Sequence, residues 1–350
     1  MSSRALRLIT SLLAASALLG TAACGSGSDD APAASGPATE LRLGYFANVT
    51  HAGPVYGVAS GDYQRALGST ALKTQVFNAG PAAVEALFAG SLDAAYLGPS
   101  PAVNAYVKSK GEAVRIVAGA TSGGASLVVR PSITSPAQLR GTRIADPQTG
   151  GTQDIALRTY LKANGLNVDL QGGGDVSILA QENSQTLDLF KQGRIDGAWL
   201  PEPWASRLVL EGGAKVLVDE KSQWPDGKFV TTNLLVNKKF LDEHPETITA
   251  LLKGQVEADK KINADPAGAQ QAVNDQLKTL TGKALSPEVL KRAFGQIEVT
   301  EDPLASTLKT SAEHSFATGL VQQADLKGIY DLTLLRQVLG KPVDDAGLGG

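Results

Sequence analysis

Two segments of this chain follow the same plan. Gly90 to Pro101 reads GSLDAAYLGPSP, and Gly193 to Trp204 reads GRIDGAWLPEPW. Each comes after a helical stretch ending in Leu-Phe, places Asp and then an aromatic residue on the next strand, and leaves through a proline-rich turn. A looser pair, LRLGYFANVTHAG and TRIADPQTGGTQD, shares a short strand, a polar loop containing Thr, and a helix. Self-similar supersecondary units imply an architecture built twice, so the chain is expected to form two similar lobes.

The class of those lobes follows from periodicity. From Leu41 onward, short apolar runs alternate with helical periods: LRLGYF then PVYGVAS, LKTQVF then PAAVEALFAG, LDAAYLG then AVNAYVKS. The rhythm continues through VRIVAGA, LVVR, TRIAD, DIALRTYLKANG, TLDLFKQG, DGAWL and AKVLVD. Strand alternating with helix predicts parallel sheets of the α/β class. After Asn237 the strands stop and the pattern predicts helices only, including SPEVLKRAFGQI. Asp265-Pro266 and Ser286-Pro287 read as N-cap plus first-turn proline.

The N-terminus, MSSRALRLITSLLAASALLGTAAC, has Arg4 and Arg7 ahead of an apolar run and small residues before Cys24. That is the pattern of an export signal, and Thr21-Ala22-Ala23-Cys24 resembles the lipobox of bacterial lipoproteins, with Thr21 where Leu is usual. Residues 1–23 are expected to be a lipoprotein signal peptide, with Cys24 as the lipidation site and residues 24–39 as a flexible linker rich in Gly, Ser, Pro and Ala. Cys24 is the one cysteine of the chain, so neither an intramolecular disulfide nor a second, catalytic thiol is available. The expected location is extracytoplasmic, lipid-anchored to the cell membrane.

With 43% hydrophobic and 19% charged residues and a net charge of −3, the chain is a folded protein without the basic footprint that a phosphate backbone requires. No nucleic acid is expected. The three histidines, His51, His244 and His314, lack a Cys or second His at metal spacing, and no nucleophile elbow, phosphate loop or dinucleotide fingerprint is present. The expectation is therefore no enzyme, no cofactor and no metal; His244 and His314 read as solvated.

Ligands of open parallel sheets sit beyond the carboxyl ends of strands, and the loops there are FANVTHAGP (Phe46–Pro54), GPSPAVN (Gly98–Asn104), TSGGAS (Thr121–Ser126), QTGGTQD (Gln148–Asp154) and LPEPW (Leu200–Trp204). None contains Lys or Arg, and Asp154 and Glu202 are their only charged residues. A helix start has unpaired N–H groups and roughly half a positive charge, so a glycine turn leading into it can hold an oxyanion without a basic side chain. Candidate donors are Thr152 and Gln153, with Gln148 and Gly151 in the turn before them, from one lobe; Asn48, Thr50, His51 and Ser100 come from the other. An ordinary N-cap and tight turn, with Asp154 complementing the dipole, explains the stretch equally well. At LPEPW, Trp204 is assigned to the cleft and Trp199, just before it on the strand, to the core. Glu202 either receives a ligand ammonium or caps a hinge.

The series GYFANVTHAG, FNAGPAAVEALFAGSLDAAYLGPSPAVNAYV, IVAGATSGGASLVVR, LRGTRIADPQTGGTQDIALRTYL and DGAWLPEPWASRLV resembles the solute-binding proteins of ABC importers for aliphatic sulfonates, taurine and nitrate. The resemblance implies a two-lobed periplasmic-binding-protein fold (type II-like), with a cleft between lobes and a helical C-terminal tail. Lobe 1 would comprise residues 40–128 and 233–350, and lobe 2 residues 129–232, with crossings near Ser126–Arg130 and Thr231–Val236. It further implies a monomer that closes on a small, sulfonate-like anion and delivers it to an ABC permease in the membrane. The ligand-facing positions would be Thr50, His51, Pro99, Ser100, Gly123, Gly124, Thr152, Gln153, Glu202 and Trp204. Relatives more often read Leu-Gly-Asn where this chain has Thr149-Gly150-Gly151, which removes one side-chain donor. Nitrate, taurine or a vitamin precursor are alternative ligands. A cleft-closing sensor shares the same features, and a two-lobed enzyme would need a central titratable pair that the loops lack.

Overall fold

A computed structural model describes residues 36–350. The signal segment, Cys24 and most of the expected linker lie outside the described residues. The linker's end does not behave as a tether: Ala38 is buried, its N–H donates to Thr247 Oγ1 at 2.8 Å, and its carbonyl accepts from Thr70 Oγ1 at 2.6 Å.

The chain begins with β1 (Glu40–Phe46), α1 (Ala52–Ala59), α2 (Asp62–Leu67), β2 (Ala71–Phe77), α3 (Gly80–Phe88), β3 (Ala94–Leu97), α4 (Pro99–Lys108) and β4 (Val114–Gly123). It continues with β5 (Ala125–Val129), β6 (Arg143–Asp146), α5 (Thr152–Ala163), β7 (Ser177–Ala180), α6 (Asn183–Lys191), β8 (Gly197–Pro201), α7 (Trp204–Gly212) and β9 (Lys215–Asp219). It ends with β10 (Val230–Asn237), α8 (Lys238–Glu243), α9 (Pro245–Ala264), α10 (Pro266–Thr281), α11 (Pro287–Phe294), β11 (Ile297–Val299), α12 (Ala305–Thr318) and α13 (Thr333–Leu339).

These strands form two sheets, ordered β11-β4-β10-β3-β1-β2 and β7-β6-β8-β5-β9. Each sheet contains three parallel strands in succession, the first of which lies between the other two: β1 between β2 and β3, and β6 between β7 and β8. Each then takes an antiparallel strand next to the third: β10 beside β3, and β5 beside β8. The two sequence echoes occupy equivalent places, β3 with β8 and β1 with β6.

The shared Asp has a structural task. Asp93 accepts from the Arg42 backbone N–H at 2.7 Å while Arg42 Nη1 reaches the Gly90 carbonyl; Asp196 accepts from the Arg143 N–H at 2.9 Å while Arg143 Nη2 reaches the Gly193 carbonyl. The same Arg, Gly and Asp staple therefore joins the first and third strands of both lobes at the end away from the cleft.

The chain changes sheet at Gly123-Gly124 and again between β9 and β10, so positions 128/129 and 232/233 fall inside strands. Gly123 and Gly124 have φ of +76° and +83°, and a Cβ on Gly124 would stand 2.5 Å from Ile297 and 2.9 Å from Thr50. Only glycine can occupy these two positions of the crossing without strain. Part of the tail departs from the all-helical expectation, because Gln296 ends α11's turn and Ile297–Val299 pairs with β4 as an edge strand. Three residues are too few to show an alternating pattern, so the preceding helical period masked them.

The helical tail packs on the first sheet: Ile248, Leu251, Leu252, Val273, Leu308 and Leu335 share one core with Leu41, Leu43 and Tyr96. The second sheet has a core on each face, one around Trp199, Leu157 and Phe229 and the other around Phe190, Leu200 and Trp204. Neither of the other two histidines is merely solvated. The His244 imidazole lies 3.0 Å from the Gly36 carbonyl, and His314 is half-buried with its ring 5.8 Å from Trp224. Among the described residues no helix is long and apolar enough to cross a membrane.

Glu220 is buried under Trp199, whose indole N–H donates to it at 2.7 Å, and burial pushes its carboxyl from the usual 4.5 up to about 7. A raised carboxyl makes the folded state hold its proton more tightly, so stability falls as pH rises from about 4.5 to about 7. Glu220→Gln is expected to remove that part of the fall. At pH 8 it should exceed wild type by up to about 3 kcal/mol in urea melts; identical pH dependence in both proteins would exclude Glu220 as its source.

Candidate functional site

The starts of α3, α4 and α5 and of a single 3-10 turn, Val49–His51, which precedes α1, meet where the two sheets face one another. They follow parallel strands β1, β2, β3 and β6, and their capping residues Asn48, Ala79, Gly98 and Gly151 all have extended backbones. None of the four makes a side-chain cap. Three could not do so, since Ala and Gly have no acceptor there. The first N–H groups of an α-helix have no partner in its own ladder, which leaves those of α3, α4 and α5 pointing into this region, whereas in the turn after Asn48 the Thr50 N–H donates to the Glu202 carbonyl and the His51 N–H to the Asn48 carbonyl.

The cavity they enclose is small, about 30 Å³ at the centres of water-sized spheres, where a single water needs about 10–15 Å³. Phe46, Asn48, Thr50 and His51 line one side, Asn78, Ala79, Gly80, Gly98 and Pro101 a second, and Pro147, Gly151, Thr152 and Gln153 the side from the other sheet. Pro201 and Thr231 complete it.

No Lys, Arg, Asp or Glu is among these residues. The one titratable group is His51, whose pKa burial lowers to about 3, so the ring is neutral at neutral pH. Its Nε2 and the Thr152 hydroxyl are buried without a protein partner. Such orphaned groups are uncommon in folded proteins and mark a place where something else supplies the bond.

Negative charge is kept away from the cavity. Asp154, in the first turn of α5, is occupied by the Gly150 N–H at 2.7 Å and by Arg158 Nε at 2.6 Å. Burial, and then the charge of Asp154, push Asp146 well above the usual carboxylate range. Among the described residues no group of three or more His, Cys, Asp or Glu is placed to hold a metal ion.

The two sides touch directly. Asn48 Oδ1 accepts from Trp204 Nε1 at 2.6 Å, the Thr50 N–H donates to the Glu202 carbonyl at 3.2 Å, and Asn78 Nδ2 donates to the Pro147 carbonyl at 3.0 Å. Asn78 Oδ1 also accepts from the Asn183 N–H at 3.1 Å. This is the closed arrangement of a cleft.

Residues 34–275 match the NMT1-like family. The chain belongs to the NMT1-like family. It is 30% identical over 190 residues to the taurine-binding periplasmic protein of Escherichia coli (strain K12), covering 54% of this chain and 57% of that one. It is 26% identical over 168 residues to a putative aliphatic sulfonates-binding protein of Bacillus subtilis (strain 168), covering 47% and 48%. The matches thus span about half of these relatives' length.

Among solved structures, the alkanesulfonate-binding protein SsuA from Xanthomonas axonopodis pv. citri, bound to MOPS, superposes with a TM-score of 0.68 at 22% identity over 82% of this chain and 96% of that one. The nitrate-binding protein NrtA from Synechocystis PCC 6803 gives 0.67 at 17% identity over 86% and 88%. The fold is that of the periplasmic binding proteins, and the relatives named are binding proteins rather than enzymes.

In this NMT1-like chain, six of the residues expected at the ligand line the cavity: Asn48, Thr50, His51, Gly151, Thr152 and Gln153. The others stand around it. Gln148 accepts the Gly151 N–H at 2.9 Å and closes the turn. Pro99 and Ser100 open α4, with Ser100 facing a neighbouring space beside Thr152. Gly123 and Gly124 form the crossing behind Thr50.

Glu202 is buried, and its carboxylate takes the Ser206 N–H at 3.1 Å, the first turn of α7. Trp204 spends its N–H on Asn48, and Trp199 is in the core on Glu220. Phe46, Gly98, Pro101 and Pro201 lie in the loops named from the sequence but were not singled out there; Pro147, Thr231, Asn78, Ala79 and Gly80 line the cavity from outside those loops. The last three were findable, since FNAGP stands between an apolar run and a helix like the other loops.

Gly98 has an ordinary φ, yet a Cβ there would lie 2.0 Å from Thr152 Oγ1 on the opposite lobe. Gly98→Ala should therefore wedge the lobes apart and raise the radius of gyration in small-angle scattering, and adding Thr152→Gly should restore it. Equal radii for all three proteins would show that these residues do not meet in solution.

Proposed function

We propose that this chain is the extracytoplasmic solute-binding protein of an ABC importer, and that it captures a small organic anion, of which an aliphatic sulfonate fits best. The observation that carries this reading is the pair of buried, unpartnered groups, His51 Nε2 and Thr152 Oγ1, in a cavity ringed by uncapped helix starts and free of charged side chains. Oriented N–H and O–H donors in a dry site stabilise a negative oxygen cluster, and the helix starts add their dipoles.

An oxyanion of a strong acid carries no proton at neutral pH and can accept from every donor. A sulfonate does so through three oxygens. Since both lobes contribute donors, the ligand holds them together only when closed, which is the differential contact that a population shift requires. The closed form would then be delivered to the permease. The names of the relatives support the same class of ligand. The cavity lining itself has no carboxylate to receive taurine's ammonium; Glu202 lies outside it, with one oxygen on the Ser206 N–H and the other buried without a partner.

The test is a thermal-shift and calorimetry panel of alkanesulfonates, taurine, sulfate, nitrate and bicarbonate. Ligand at a hundred times its dissociation constant should add about 2.7 kcal/mol to stability. Each donor to a charged oxygen contributes about 1.5–3 kcal/mol, so His51→Phe should weaken sulfonate binding at least tenfold. Gly151→Val should do the same, because a Cβ there meets the Gln148 carbonyl at 2.8 Å and displaces the turn. Silence from every anion, or wild-type affinity in both variants, would remove the anion from this cavity.

We further propose that Cys24 is the lipidated anchor. Cys24→Ser should release the protein to the soluble fraction or leave its signal uncleaved; a cleaved variant that still needs detergent would exclude the anchor.

A further inference from the structure

The closed cleft continues beyond the anion cavity. A passage of about 20 Å³ starts at Ser100 and Thr152 and runs by Ile155 and Phe229 to His314. It leads to a chamber of about 230 Å³ walled by Tyr160, Trp199, Trp224 and His314, with Glu220 at its side. Thr152 belongs to both the cavity and the passage, and Ala156, Glu220, Trp224 and His314 belong to both the passage and the chamber. The three spaces are therefore neighbours, separated by single layers of side chains, with α5 on one side and α12 on the other.

The chamber's walls are unusual for this chain. Aromatic residues make up only 5% of the sequence, yet two of its three tryptophans stand here. Tyr160 meets Trp199 edge to face at 5.8 Å, and Trp224 is held by stacking on Phe229 at 5.4 Å and by contact with His314. Glu220 is bonded to Trp199 Nε1 and carries a raised pKa, so near neutral pH its charge is reduced. The walls present ring surface without a fixed cation.

We infer that this chamber receives the tail of the bound anion and that, among sulfonates carried on an alkyl chain, those whose chain ends in an aromatic ring are preferred. The inference rests on the anion reading of the cavity. That cavity is large enough for a head group alone, and contacts at Asn48–Trp204, Thr50–Glu202 and Asn78–Pro147 close its other sides. At Thr152 and Ser100 the boundary is two small hydroxyl side chains, and beyond it lies the space a tail needs. A cavity of roughly 150 Å³ already accepts benzene, and flat rings gain most from walls of Trp and Tyr through stacked and edge contacts.

The experiment is titration calorimetry of the full chain in detergent with methanesulfonate, hexanesulfonate, 3-phenylpropanesulfonate and a trimethylammonio-propanesulfonate. The phenyl ligand is expected to bind at least tenfold more tightly than hexanesulfonate. Trp224→Ala should erase that advantage while methanesulfonate binding stays within twofold. Ala156→Phe, which fills the space between Thr152 and the chamber from the α5 side, should do the same and covers the case in which Trp224→Ala does not fold. Methanesulfonate binding with no gain from the ring would overturn this inference alone, as would a preference for the ammonium tail, which would make the chamber a cation site. No heat with any of the four would overturn the anion reading together with it.

Discussion

An α-helix begins with N–H groups that its own ladder cannot pair, and in most proteins a Ser, Thr, Asp or Asn side chain covers one of them. Here, the starts of three α-helices and one 3-10 turn at one point make no such bond, and the capping residues of the three α-helices are Ala79, Gly98 and Gly151. The rest of the architecture follows from making those starts converge. Parallel strands aim every following helix start at the same sheet edge, and two sheets facing edge to edge bring both sets together. Small capping residues also let the backbones approach, as the contact between Gly98 and Thr152 shows.

The convergence would fail if either lobe's strands slid. The staples Arg42–Asp93–Gly90 and Arg143–Asp196–Gly193 pin first to third strand at the far end of each sheet. They are partly exposed and contribute modestly as ion pairs. Their bonds to backbone groups, in contrast, set where Asp-aromatic strands β3 and β8 begin, and so where Gly98 and Pro201 end up. The two lobes remain joined through exchanged strands: β5 leaves the first sheet for the second, and β10 returns to lie between β3 and β4. A glycine pair at one crossing gives a backbone that can turn there without a side chain in the way.

Much of this was legible in the linear order. The echo GSLDAAYLGPSP with GRIDGAWLPEPW announced equivalent strands, and alternation announced parallel sheets. The loops beyond strand ends contained Asn48, Thr50, His51, Gly151, Thr152 and Gln153, because a loop's position and its Gly, Thr and Asn content are local properties. Trp204 and Glu202 were harder. Both were correctly close to the cleft, but whether an indole N–H meets a ligand or Asn48, and whether a carboxylate meets an ammonium or the Ser206 N–H, depends on partners remote in sequence. Asn78 was passed over because its importance lies in two bonds to the other lobe.

The sequence by itself determined the class of fold, its duplication, the absence of Lys and Arg from the strand-end loops and a glycine-led helix start at Thr152, since each is written in neighbouring residues and in periods of two or three to four. Only the tertiary structure decided that the four starts share one cavity, that β10 and β11 join a sheet begun two hundred residues earlier, that His51 is buried and neutral, and that neighbouring spaces lie between Thr152 and Trp224. Those properties are set by exclusion of water and by contacts between distant segments, and neither exists until the lobes have folded and met.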